Sequence, residues 1–209
     1  MPVHLERLKH AENEFLATFP GGFEHPDMLA IGKKHKVVKL STFCQDAFAK
    51  HKFNNIDQIL EDWVKLISRS SMISLFEKPK FKSFIATRNN SELTSLAQSL
   101  ELILHGNASL GFDLQLDLLK IDKLAKWTLI TAVPAYYRMQ EEIFIKPTTA
   151  KGIISYFELA NLTYKPTPSW EFYHAYRDAI LSMKKYVDQN LCPNNPAFCG
   201  FLMMSLPKH

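Results

Sequence analysis

The sequence predicts an all-α fold, a single compact multi-helix domain over residues 1–209 with a central buried helix. Three observations carry that expectation. Apolar residues recur at helical spacing through nearly every segment, and Ser, Asn or Pro stands where those segments begin. The stretch Trp127 to Ala135 is apolar on every side, so other helices must surround it.

The elements follow in chain order. Leu5, Leu8, Phe15, Leu16 and Phe19 lie near one stripe, ended by Pro20-Gly21-Gly22. Pro26-Asp27 opens a helix expected to run through Ile31, Val38 and Phe43 towards Phe48. Asn55 caps the clearest helix, whose stripe is Ile56, Ile59, Leu60, Trp63, Val64 and Ile67. Arg69-Ser70-Ser71 is expected to start a short segment that Pro79 interrupts. Ser91 is expected to cap a helix closed by Gly106 in the left-handed conformation. From Leu110 to Leu124 helix and strand patterns compete, and length favours helix. Pro147 opens the next helix, Lys165 to Pro168 is extended, Ser169 caps a long helix, and Asn195-Pro196 starts an apolar last one. Eight to ten helices are expected in all, with one weak subdivision near residues 88–90. The buried centre should hold Trp63, Ile67, Leu100, Leu104, Trp127, Ile130, Val133, Ile154, Phe157 and Tyr176.

Composition narrows the function classes. With 46% hydrophobic residues in 209, the chain can bury a core without disulfide or metal staples. A net charge of +4 permits an acidic partner without demanding one. No apolar run is long enough to span a membrane, so no membrane partner is expected. The mixed-charge N-terminus is no signal peptide, and three cysteines make no disulfide framework; the expected location is the cytoplasm. Nucleotide-binding glycine loops, metalloprotease helices, nucleophile elbows and Cys-x-x-Cys motifs are all missing. No cofactor and no metal are expected.

The chemistry-bearing residues gather in a few places. Before and within the helix opened by Pro147, Lys146, Thr148, Thr149 and Lys151 put charge and hydroxyls beside helix N–H groups, an arrangement fit for a phosphate or carboxylate. The plainer alternative is a capped helix with Lys146 paired to Glu142. Arg69 and Ser70 suggest a second anion nest at a helix start, with Lys78, Lys80 and Lys82 following. Lys33, Lys34, His35, Lys36 and Lys39 could touch phosphates or simply face solvent. Trp170, Tyr173 and Arg177 form an aromatic wall for a planar ligand, or part of the core. Glu141 or Glu142 could serve as a general base, provided it is partly buried and faces Lys146. The pairs Glu101/His105 and Asp113/Asp117 have metal-ligand spacing and are more simply surface groups.

Four segments carry a resemblance: Phe19 to Phe23, Ser68 to Lys78, Phe144 to Lys151 and Tyr164 to Trp170. They resemble a group of uncharacterised bacterial hypothetical proteins of similar length, over most of the chain. That resemblance implies a bacterial single domain and no activity. The approach Ile145-Lys146-Pro147-Thr148 into a helix is also similar, at fold level, to helical base-excision DNA glycosylases. Those enzymes need an aspartate where this chain has Lys146 or Pro147, so no catalytic residue follows from it.

The leading expectation is therefore a binding module for an anionic small molecule or a nucleic-acid backbone. Two others stand beside it: an enzyme built on residues 141–151, and an interaction protein forming a homodimer through its apolar C-terminal helix, Ala197 to Leu206.

Overall fold

A computed structural model describes residues 3–207 of the chain. The first two and last two residues of the expected 1–209 domain lie outside it. The described residues are 73% helical with no strand, which settles the all-α class. Their eleven α-helices are α1 (Val3–Thr18), α2 (Pro26–His35), α3 (Val37–Ala47), α4 (Ile56–Arg69), α5 (Glu77–Thr87), α6 (Asn90–His105), α7 (Ala108–Lys120), α8 (Trp127–Tyr137), α9 (Pro147–Tyr156), α10 (Trp170–Met183) and α11 (Asn195–Met204).

After α1, Gly21 and Gly22 turn the chain with φ of 82° and 63°. A Cβ on Gly22 would sit 2.6 Å from the Asn190 carbonyl oxygen, so only glycine fits there. The single helix expected from Pro26 towards Phe48 is instead two, broken at Lys36 with φ 54°. The reason is geometric. On one straight helix Met28 and Leu40 would point about 120° apart, yet both are buried. The break lets each half turn its own apolar face inward.

Asn55 caps α4 as expected, accepting from the Gln58 N–H at 3.2 Å. Arg69, however, is the last residue of α4 and Ser70 its C-cap, so this is a helix end and not a start. Pro79 falls in the first turn of α5, where its missing N–H costs nothing. The cap of α6 is Asn89 and not Ser91, because Asn89 stands three residues before Glu92 and the two form a reciprocal capping box. Gly106 has φ −140° and is not left-handed. It leads straight into Asn107, the cap of α7, making a tight α6–α7 hairpin. The ambiguous segment is thus helical. Gly111 lets the pair close, since a Cβ there would lie 2.6 Å from the Ser99 carbonyl oxygen and 2.7 Å from the Ile103 nitrogen.

Every residue of α8 from Trp127 to Tyr136 is buried. Its main neighbour is α3, followed by α4, α6 and α7. The α10 side reaches it through rings, with Trp127 and Phe172 centroids 5.2 Å apart. Nine of the ten expected central residues are at most 2% exposed; Ile154 is half-buried, and its neighbour Ile153 takes the core position. One buried cluster draws on all eleven helices, on both sides of residues 88–90. Ser169 caps α10, while Asn194 caps α11 and leaves Asn195 fully buried inside it. In α11, Phe198, Phe201 and Leu202 are fully buried, and its exposed apolar residues are Met203 and Met204. No described helix is long and apolar enough to cross a membrane.

Candidate anion-binding surface

The start of α9 is open. Lys146 occupies its N-cap position with no side-chain cap, and Pro147 fixes the first helical residue. The N–H groups of Thr148 and Thr149 therefore have no intrahelical acceptor and no capping side chain. Lys146, Thr148 and Lys151 are exposed and Thr149 half-buried. The approach is pinned, because Ile145 is fully buried and gives its N–H to Thr131 Oγ1 at 3.0 Å. Lys151 Nζ lies 5.4 Å from the Tyr164 ring centroid, a cation–π contact.

Lys146 does not pair with Glu142. That carboxylate accepts instead from the Tyr173 hydroxyl at 2.6 Å and from Arg177 Nη1 at 3.2 Å to both oxygens. Side-chain exposure is 13% for Glu142 and 19% for Arg177, so the pair is largely desolvated. Burial, then the Glu142 charge, pushes the Tyr173 hydroxyl well above its ordinary pKa. Burial works against the Arg177 charge, but Glu142 outweighs it and holds the guanidinium more firmly protonated than usual. Trp170 and Tyr173 pack on Phe112, with centroids 5.8 Å and 5.7 Å away. The cavity between them, Glu142 and Pro134 measures about 10 Å³, room for one water at most. Of the expected aromatic wall, Tyr173 is buried in the core, while Trp170 and Arg177 are half-buried at its edge.

Glu142 meets the burial condition set for a general base and fails the one on Lys146, and its oxygens are already engaged. Glu141 is 70% exposed beside Arg138. Chemically, the Glu142–Tyr173–Arg177 group is a latch tying the segment before α9 to α10. Asn195 completes it: its Nδ2 donates to the Glu142 carbonyl at 2.9 Å, and its Oδ1 accepts from Lys184 at 2.7 Å. Sequence reasoning missed Asn195. The signal was the doubled Asn194-Asn195 before Pro196, since capping uses only one of the two.

The nest expected at Arg69 and Ser70 does not form. The Ser70 hydroxyl is fully buried, 3.0 Å from the Tyr136 hydroxyl, and accepts the Met72 N–H at 3.2 Å. The end of α4 presents carbonyls, the negative end of the macrodipole, which suits the Arg69 side chain and not an external anion. Another arrangement takes its place. His35 Nδ1 lies 2.8 Å from Ser71 Oγ, which brings the end of α2 against the loop before α5. Lys33, Lys34 and Lys36 lie at that end of α2, Arg69 ends α4 just before Ser71, and Lys78, Lys80 and Lys82 follow in α5. Among the described residues none of these seven cations has a carboxylate within ion-pair distance. No hydrogen bond or ion pair joins Arg69 to Lys146 or Thr148.

The remaining candidates are occupied. His105 Nε2 lies 2.9 Å from the Phe48 carbonyl, and no group of three metal-ligating side chains occurs among the described residues. Cys44, Cys192 and Cys199 are free thiols. A wide groove of about 640 Å³ runs past Asn54, Asn55, Asn90 and Thr94, but the helix starts it meets are already capped by Asn55 and Asn89. Comparison of the chain with protein-family models, curated proteins and solved structures gives no match.

Proposed function

We propose that this protein is a non-catalytic binding module for polyanionic ligands, working in the cytoplasm. The observation that carries the reading is the set of cations on the segments joined by the His35–Ser71 contact: Lys33, Lys34, Lys36, Arg69, Lys78, Lys80 and Lys82 have no carboxylate partner among the described residues. A cluster of cations without a carboxylate neighbour keeps its field for an external anion. The uncapped start of α9, with Lys146, Thr148, Thr149 and Lys151, supplies a second point fit for one phosphate group. A cytoplasmic location suits the three free thiols.

The test is a salt titration of binding to heparin and to mixed-sequence single- and double-stranded oligonucleotides. Affinity should fall steeply and linearly on logarithmic axes as salt rises, as counterion release requires. The double variant Lys80→Glu, Lys82→Glu should make that slope shallower by about two ion equivalents. Absence of binding to every polyanion at low ionic strength refutes the reading.

A further inference from the structure

The loop between α4 and α5 holds two large apolar side chains out in solvent, and it is built to do so. Leu75 is 79% exposed and Phe76 82%, the two most exposed large hydrophobic residues described. Neither position is slack. Ile73, 4% exposed, anchors the loop in the core. The Ser74 N–H donates to Glu77 Oε2 at 3.3 Å, while the Phe76 N–H donates to Ser74 Oγ at 3.2 Å. Thr128 of the central helix donates to the same Glu77 oxygen at 2.9 Å. Glu77, the first residue of α5, thereby turns one carboxylate oxygen towards the loop backbone and the central helix, beside the exposed Leu75 and Phe76. The hydrophobic effect would fold such side chains back if the loop allowed it; this hydrogen-bonded turn does not.

From these features we infer that the Leu75–Phe76 tip inserts into the interface of an anionic lipid surface, with the surrounding lysines on the headgroups. The inference rests on the polyanion reading and names its partner. A soft bilayer interface accepts side chains that project this far into solvent. A rim of cations without carboxylates complements an anionic leaflet, each lysine near the surface being worth roughly fivefold in affinity. A peripheral contact of this kind needs no membrane-spanning helix, so the expectation of no membrane partner, which rested on the lack of a span, does not bear on it.

The experiment is co-sedimentation of the full chain with phosphatidylcholine vesicles, with and without phosphatidylserine, run beside heparin binding. The wild type should sediment with the phosphatidylserine vesicles only, and added salt should release part of it. Leu75→Ser, Phe76→Ser, made at exposed positions, should lower vesicle binding at least tenfold and leave heparin binding unchanged. Lys80→Glu, Lys82→Glu should weaken both. In Phe76→Trp, the new indole should shift its emission to the blue on adding phosphatidylserine vesicles, over the background of the native tryptophans. Heparin binding without vesicle binding overturns the lipid inference and leaves the polyanion reading standing; oligonucleotide binding that needs Phe76 assigns the tip to nucleic acid instead. Loss of neither ligand in the Leu75, Phe76 variant also overturns the inference, and failure to bind anything refutes both readings.

Discussion

Glu142 shows how one side chain changes meaning when its neighbours are known. In the sequence it stands four residues before Lys146, the spacing of a helical ion pair, but the residues between are not helical and the pairing fails. The carboxylate turns instead to Tyr173 and Arg177, some thirty positions on. Desolvated pairs are costly to break from one side, because the surviving charge is stranded. Glu142→Gln should therefore lower unfolding stability by about 2 kcal/mol, measured by urea denaturation. Tyr173→Phe should cost less, since Arg177 still neutralises the carboxylate. If Glu142→Gln were neutral in stability yet changed polyanion binding, the latch would be misassigned. Gln115 is a residue without an account: it is fully buried in α7 with neither amide atom hydrogen-bonded.

At the scale of the element, the helix starts divide into satisfied and unsatisfied ones. Asn55, Asn89, Asn107, Ser169 and Asn194 each accept a backbone N–H from the first turn they precede. Lys36, Phe76, Lys126 and Lys146 do not, so α3, α5, α8 and α9 begin without a side-chain cap. A well-placed cap contributes about 1 kcal/mol, and a carboxylate also favours the positive end of the macrodipole. Lys146→Asp should therefore raise stability by about 1 kcal/mol. The same substitution should abolish the response of the Thr148 and Thr149 amide resonances to inorganic phosphate. Stability and binding are expected to move in opposite directions, which a purely structural helix start would not show.

Across the whole molecule, acid groups buried in neutral form set the response to alkali. Burial raises the thiol of Cys44 above its ordinary 9.0, and the hydroxyls of Tyr173 and Tyr176 well above 10.0. The folded state then holds these protons more tightly than the unfolded chain does. Their contribution to stability is complete below the unfolded values and is lost as pH climbs through them towards the folded values. The urea midpoint should hold steady at neutral pH, begin to fall near pH 9 with Cys44, and fall faster above about pH 10 with the tyrosines. Tyr176→Phe should flatten the upper part of that fall. An unchanged midpoint across the alkaline range would contradict the burial of these groups.

Local signals in the sequence determined most of the elements. The stripe of α4, the Asn55 and Ser169 caps and the all-apolar α8 are written in residues a few positions apart, where helix periodicity and capping act. Those signals were enough for the all-α class and for nine of the ten central residues. The break at Lys36 was not legible, because it answers a demand that Met28 and Leu40 face one core, which no local window contains. Nor was the end of α4 at Arg69, which depends on Ser70 meeting Tyr136, 66 residues away. The candidate surface followed the same division. The sequence exposed each run of lysines and the donors of α9, whereas only the tertiary structure brought the end of α2 to Ser71 and buried Tyr173 in the core. Helical propensity is a property of neighbours along the chain; a shared surface is a property of neighbours in space, decided by which apolar faces the packed helices hide.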